Sequence, residues 1–462
     1  MMNATRGLVL LASILLVAFA GCTKQEDRDW VVSEKRIAQI DFSSWVKESF
    51  AVSRDNRHAA YVTAEGEKWH VVVDGQGGPR YDAIGQTLIF TKDGRQVGYV
   101  AKEKERWFVV VGGKGEKPYV GIGTPPAFSP NGERLAYVAE VGNRWTVVVD
   151  GNEGKPYDGI GCAPIFSPTG KRVAYVAVEG DAWFVVVDGK EERRYEGIGT
   201  LPVFSPDGKR LAYAALKEGS WVAVVDGAEG KKYDGISCAP VFSPDSRRVA
   251  YVAGAGEERF VVVDDEAGKQ YKGILFSPVF SPDSRRVAYV AGAGEEKFAV
   301  IDGKEGKRYE GIPFSPVFSP DSRRVAYGAG EGKDYFLVLD GKEGKRYGGL
   351  GHAPVFSANG KRIAYEARQG DGRFVVVNGA EGARYDEIEP SPVFSSNGRG
   401  FAYGARRDEE WFAVVNGKEG PPYDAIVALG ESRIVFDSFS SLHYFALKGD
   451  DIYLVEAMAN GS

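Results

Sequence analysis

The segment PVFSPDSRRVAYVAGAGEE occupies Pro240 to Glu258 and recurs letter for letter from Pro278 to Glu296. PVFSPDSRRVAY stands a third time at Pro316 to Tyr327, again 38 residues on. The signature's Ser or Thr falls at Ser53, Thr91, Ser129, Ser167, Ser205, Ser243, Ser281, Ser319, Ser357 and Ser395, with every step equal to 38. A weaker eleventh copy, RIVFDSFSSLHYFALKGDDIYLVE, follows after a slightly longer gap. A fixed period of this size restricts the chain to a solenoid, a propeller or an array.

Each repeat reads as four short strands. PVFS is the first, followed by an SPDG or SPDS turn with proline where a type I turn prefers it. RVAYVA is the second. A polar loop leads to the third, WFVVVD or FVVVD, and a Gly-rich DGKEG hairpin leads to a short fourth, as in Lys307 to Ile312. VAYVA and FVVV do not alternate apolar with polar, so both faces of these strands must be buried. Blades stacked around an axis bury both faces, and 38 residues suit a four-stranded blade. The β-branched runs exclude an α-solenoid. The chain is therefore expected to be all-β, a propeller of eleven blades. PVFS should be innermost, its free edge blunted by prolines such as Pro240 and Pro244.

The two ends complement each other. The last copy supplies three strands, ending near Glu456, and EKRIAQID precedes the first copy as a lone fourth strand. Residues 35–41 can thus close the ring within a propeller of residues 35–457, leaving 458–462 as a tail. Propellers usually have four to eight blades, which leaves two tandem rings open as an alternative. The unbroken spacing favours one wide ring.

MMNATRGLVLLASILLVAFAGC carries one Arg, then an apolar run from Leu8 to Ala20. That run is too short to span a bilayer as a helix and suits a secretory signal over residues 1–21. Ala20, Gly21 and Cys22 resemble a bacterial lipobox, although Phe19 replaces the usual Leu. The resemblance implies cleavage before Cys22, acylation of Cys22, a tether over 22–34, and placement in the cell envelope on the outer membrane or a periplasmic membrane face. Ordinary secretion is the alternative. Thr23 leaves outer-membrane sorting open.

FSPDGKRLAY, Phe204 to Tyr213, resembles the WD40-like repeat of TolB-type propellers, and the likeness extends from about Phe50 to Glu456. It implies the fold and little about function, since such blades occur in periplasmic scaffolds, peptidases and lyases. The Gly-His and Trp-Asp pairs of true WD40 repeats do not recur from copy to copy. Only a short stretch separates Cys22 from the first repeat, so the Tol-system partners do not carry over.

Chemistry is hard to find. The net charge of −6 gives no basic field for nucleic acid. His58, His70, His352 and His443 occupy different repeat positions, with no metal-ligand spacing. No G-x-S-x-G elbow or phosphate-cradling loop is present. Asp207, Asp245, Asp283 and Asp321, and Asp150, Asp188 and Asp226 before Gly, read as turn caps; Asn378 and Asn416 take the latter place. No metal, cofactor or catalytic residue is assigned. Cys162 and Cys238 sit at one register two blades apart, too far for a disulfide, and read as free thiols. Trp69, Trp107, Trp145, Trp183 and Trp221 open the third strand, with Phe260 and Phe298 following in the later copies, and Tyr157, Tyr195 and Tyr233 mark the fourth. All three sets read as packing.

One register departs from the constancy. Two residues before the Pro of the first strand stand Gln86, Thr124, Cys162, Thr200, Cys238, Phe276, Phe314, His352 and Pro390. This connector is expected on the face of the loops joining second to third strands, beside the channel mouth. It is either a tolerant loop or a ligand face comprising Thr124, Cys162, Thr200, Cys238, Phe276, Phe314 and His352. The leading expectation is a non-enzymatic, monomeric, membrane-anchored propeller lipoprotein that binds a protein or glycan at the envelope. The alternatives are a polysaccharide lyase or hydrolase working at the channel mouth, and a purely structural repeat lipoprotein.

Overall fold

The computed structural model describes residues 30–427 and 433–459. These form eleven antiparallel sheets of one design, arranged as a single ring: an eleven-bladed β-propeller. The signal segment and Cys22 lie outside the described residues.

The N-terminal strand Trp30–Gln39 pairs antiparallel with the last strand, Asp451–Ala459, from Trp30↔Ala459 to Gln39↔Asp451. The closing strand therefore begins five residues before Lys35. Residues 30–34, expected in the tether, belong to the sheet, and so do Met458 and Ala459, expected in the tail. Trp30 and Val32 are buried against the last blade, which explains why a segment that looked polar overall is ordered. Ala38 and Ile40 share a core with Phe50 and Val52 of blade one and Phe445 and Leu454 of blade eleven, so the first and last blades pack as neighbours.

Within a blade the second strand is buried on both faces, as in Val173–Glu179. The innermost strand comes in two halves. In blade five, Gly197 and Ile198 pair with Leu216 and Ala215, while Val203 and Phe204 pair with Ala212 and Leu211. The Gly-Ile pair was expected to end the fourth strand of the preceding blade. Instead the fourth strand ends at its tyrosine: Tyr309 bridges Lys297 in its own blade, and Gly311 bridges Gly330 in the next. The acidic residue between them makes the crossing. The Glu310 carboxylate accepts the Gly332 amide at 2.9 Å, capping the turn between second and third strands of the blade it enters.

Three kinds of contact join neighbouring blades. The fourth-strand tyrosine packs edge-on against a second-strand tyrosine of the following blade, as Tyr157 does on Tyr175 with centroids 6.4 Å apart. In the SPDS copies, Ser246 adopts φ 67° and its hydroxyl accepts the Asp207 amide of the preceding blade at 2.9 Å. The third contact is an arginine clasp. Arg210 donates from Nε to Asp226 Oδ2 at 2.9 Å in its own blade, and from Nη1 to the Arg247 carbonyl at 2.7 Å in the next. Its guanidinium carbon also lies 5.3 Å from the centre of the Phe242 ring. Asp226 is more than a turn cap. At φ 54° it opens an Asp-Gly turn with both residues left-handed, as tight hairpins prefer, and its Oδ1 accepts the Leu211 amide at 2.9 Å.

The tryptophan register also needs correction. Trp221 pairs with Leu216, whereas Phe260 pairs with Ala253, one place further along the third strand. Arg259, not Phe260, stands in the tryptophan's place. The phenylalanines form their own buried column, Phe184, Phe298, Phe336 and Phe374 among them. Trp145, Trp183 and Trp221 cross the second strand to cover a glycine next to the innermost one. A Cβ on Gly161 would come within 2.8 Å of the Trp183 ring.

Candidate functional site on the channel wall

The varying register falls in the gap between the two halves of the innermost strand. It is not an end-of-blade connector, as expected, but lies at mid-depth in the strand nearest the ring axis. The cause is the assignment of Gly-Ile to this strand, which moves the following residues inward from the rim. The gap leaves a second-strand amide without its main-chain partner, and the varying side chain can supply one. Thr200 Oγ1 accepts the Ala214 amide at 2.9 Å, and Thr124 Oγ1 accepts that of Val138 at 3.3 Å.

The other positions divide by chemistry. Cys162 and Cys238 are free thiols, half-buried against two different inter-blade cores, and burial pushes the Cys162 thiol upward in pKa. Phe276 is half-buried against the core shared with Tyr309 and Phe336. Phe314 is half-buried near Gly328, whose missing Cβ leaves it room. Beside these positions the innermost strands expose Leu201 and Leu275 (59% and 40% accessible), two of the few large apolar side chains so exposed. On the same wall, a cavity of about 510 Å³ runs across blades one to three, lined by Phe50, Arg54, Gln86, Leu88, Phe90 and Phe128 among others.

At His352 the register carries a charged group that sequence reasoning missed. His352 Nδ1 lies 2.6 Å from Oε2 of Glu366, and Arg373 Nη1 lies 3.2 Å from its Oε1. The Glu366 side chain is 1% exposed, whereas those of His352 and Arg373 are 38% and 36% exposed. The hydrogen bond that the Glu366 carboxylate accepts raises the His352 pKa above its ordinary value, against the opposing effect of burial. A signal was available. The copies of the Glu366 position are Val62, Val100, Val138, Val176, Ala214, Val252, Val290, Gly328 and Gly404, so one acid interrupts an apolar column. Arg373 stands at the register of Trp221, which Arg259, Lys297 and Tyr335 occupy in the three preceding blades.

The remaining histidines serve blade junctions or strand packing. His58 Nδ1 is 2.6 Å from Asp74 Oδ2. His443 contacts Asp437 Oδ2 at 2.9 Å and the Asp55 carbonyl at 2.8 Å across the ring closure. His70 lies on the third strand of blade one. The SPD aspartates accept from their own turn: Asp207 Oδ1 takes the Ser205 hydroxyl at 2.6 Å and the Lys209 amide at 3.1 Å.

Fold and wall together define the class, a repeat propeller with a variable register on its innermost strands. The chain matches no protein-family model and no curated protein. Among solved structures it is similar to TolB from Acinetobacter baumannii, at 16% identity over 60% of this chain and 78% of that one, with a TM-score of 0.26. It is similar also to the β-propeller domain of the Trilobed protease from Pyrococcus furiosus, at 20% identity over 56% of this chain and 95% of that one, TM-score 0.28. The Dos1 propeller aligns at 11% identity over 71% and 91%, TM-score 0.34. The eleven sheets and their closure, rather than these alignments, establish the fold.

Proposed function

We propose that this protein is a non-enzymatic binding scaffold, held at the bacterial cell envelope through acylated Cys22, that takes a protein or glycan partner on its channel wall. One observation carries the reading. A scaffold repeated almost verbatim changes residue chemistry at a register that lies on the innermost strands, beside exposed Leu201 and Leu275. Rigid scaffolds commonly carry recognition on their variable positions, and exposed apolar groups mark interaction surfaces.

The test is a pull-down from crosslinked envelopes with the wild type and Phe276→Ala/Phe314→Ala. Capture lost by the variant, with only a modest drop in Tm, supports wall binding. Equal capture moves the partner elsewhere, and no specific partner with either protein favours a purely structural lipoprotein. The anchor is tested separately: Cys22→Ser should leave an unprocessed precursor that no longer yields a detergent-partitioning mature form.

The Glu366, His352 and Arg373 group favours a second reading, a polysaccharide lyase or hydrolase, because it sets a carboxylate, an imidazole and a guanidinium in contact. Polysaccharide cleavage lost in Glu366→Gln would support it.

A further inference from the structure

The clasp between blades is filled at one junction after another. Arg134, Arg172, Arg210, Arg248, Arg286 and Arg324 pair with Asp150, Asp188, Asp226, Asp264, Asp302 and Asp340, each lying over a phenylalanine of the next blade. Arg362 reaches the Arg399 carbonyl from blade nine. The exceptions find substitutes. Blade one uses His58, whose ring lies 3.0 Å from the Cβ position of Gly94 in blade two. Blade ten has Gly400 there, and Phe436 of blade eleven comes within 3.4 Å of its Cβ position. Blade eleven uses His443.

Among the described residues, no side chain of blade two hydrogen-bonds to blade three from the clasp position. The residue 38 before Arg134 is Gln96, and the residue 38 before Asp150 is Gly112, so arginine and aspartate are missing together. The exposed Gln96 side chain folds back against Gly112, 3.1 Å from its Cβ position. On the receiving side, blade three keeps the phenylalanine, but its ring leans over Gly98, where the neighbouring blades carry alanine and where a Cβ would meet Phe128 at 2.7 Å. Phe128 corresponds to Phe166, on which Arg134 stacks at 5.3 Å, and Glu133 corresponds to Lys171, whose carbonyl accepts Arg134 Nη1 at 2.9 Å. A cleft of about 350 Å³ opens at this junction, lined by Gln96, Glu116, Phe128, Glu133 and the Arg134–Asp150 ion pair among others, and adjoins another of about 480 Å³ that Lys92 and Asp93 help to line.

We propose that this cleft is a binding site for an arginine side chain presented by a peptide or protein partner. The guanidinium takes the place that the chain's own arginine holds at the next junction, stacked on Phe128 and donating to the Glu133 carbonyl. Glu116 and Glu133 supply the negative charge that Gly112 no longer does. Planarity matters as much as charge: a guanidinium can stack and donate along two directions at once, whereas an ammonium is a hydrated point charge. The repeat thus states the ligand chemistry, because the corresponding phenylalanine and carbonyl hold arginine elsewhere in the ring. The site lies on the SPDG-turn side and does not depend on the channel-wall reading.

The test uses the full-length protein and a blocked, fluorophore-labelled Gly-Gly-Arg-Gly-Gly peptide, with the lysine analogue as control, read by fluorescence anisotropy. Saturable binding of the arginine peptide, about fivefold or more tighter than the lysine peptide, is expected. Gln96→Arg/Gly112→Asp should rebuild the clasp, fill the cleft and weaken binding about tenfold or more. Glu116→Lys, an exposed change that leaves the fold alone, should weaken it several-fold and serves if the double variant does not fold. Equal affinity for the two peptides, wild-type binding by the double variant, an unchanged affinity in Glu116→Lys, or no saturation would each overturn the proposal.

Discussion

His352 Nδ1 stands 2.6 Å from Oε2 of Glu366, a carboxylate with 1% of its side chain exposed in a strand whose other copies are apolar at that place. Arg373 holds the other oxygen, and Glu389 adds its field to the imidazole. Because the folded pKa of His352 is raised, the charged pair's stability is fully present below the ordinary histidine value of about 6.5 and fades as pH climbs through the folded value. The Tm gap between wild type and His352→Gln should be widest near about pH 6 and narrow toward about pH 9. A gap independent of pH would show that protonation of His352 contributes nothing.

Glu366 itself can be replaced by what the repeat uses elsewhere. Removing one partner of a buried charge pair usually destabilises, but here both cationic partners reach solvent when released. Glu366→Val should therefore change stability by no more than about 1 kcal/mol, in either direction. A loss beyond about 3 kcal/mol by denaturant titration would mean that the group organises the blade.

The closing strand carries a larger share. Deleting residues 30–39 exposes the edge of Asp451–Ala459, uncovers the surface beneath Trp30 and Val32, and strands Tyr423, whose hydroxyl donates to Glu34 at 2.7 Å. A loss of about 3 kcal/mol or more is expected, with a tendency to associate through the freed edge. An unchanged Tm would contradict closure by this strand.

Arg210→Lys distinguishes clasp from mere charge. Lysine keeps the attraction to Asp226 but cannot also stack on Phe242 and donate to the Arg247 carbonyl. Thermal melts should show a destabilisation of about 1–2 kcal/mol, close to that of Arg210→Ala. Wild-type stability in the lysine variant would reduce the clasp to a surface ion pair.

The period, the two-faced burial of VAYVA and the missing fourth strand of the last copy made the ring legible in the sequence. What escaped had a common cause: it lay between copies rather than within one. Gly-Ile was assigned to the wrong blade because a single acidic residue, such as Glu310, turns the chain across the junction and no glycine or proline cluster marks the crossing. The aspartate before each Gly looked like a local cap because its arginine partner comes from an earlier strand. In the sequence Phe260 passes for a successor of Trp221 because both are aromatic, although it stands one residue out of register. Glu366 could have been found by reading the columns vertically. Its contact with His352 could not, since it required the innermost strand in two halves.

Every clasp reaches forward, from one blade to its successor, and none needs to know how many follow. Such a head-to-tail bond has no natural end, and it closes only when its angle divides the circle. With eleven blades, each junction takes on average one eleventh of a turn. The verbatim copies show how easily the chain can be lengthened by a unit, yet the count is a property of the whole circle. A lost or added copy would ask every junction to change its angle at once, by an amount too small for any one of them to refuse.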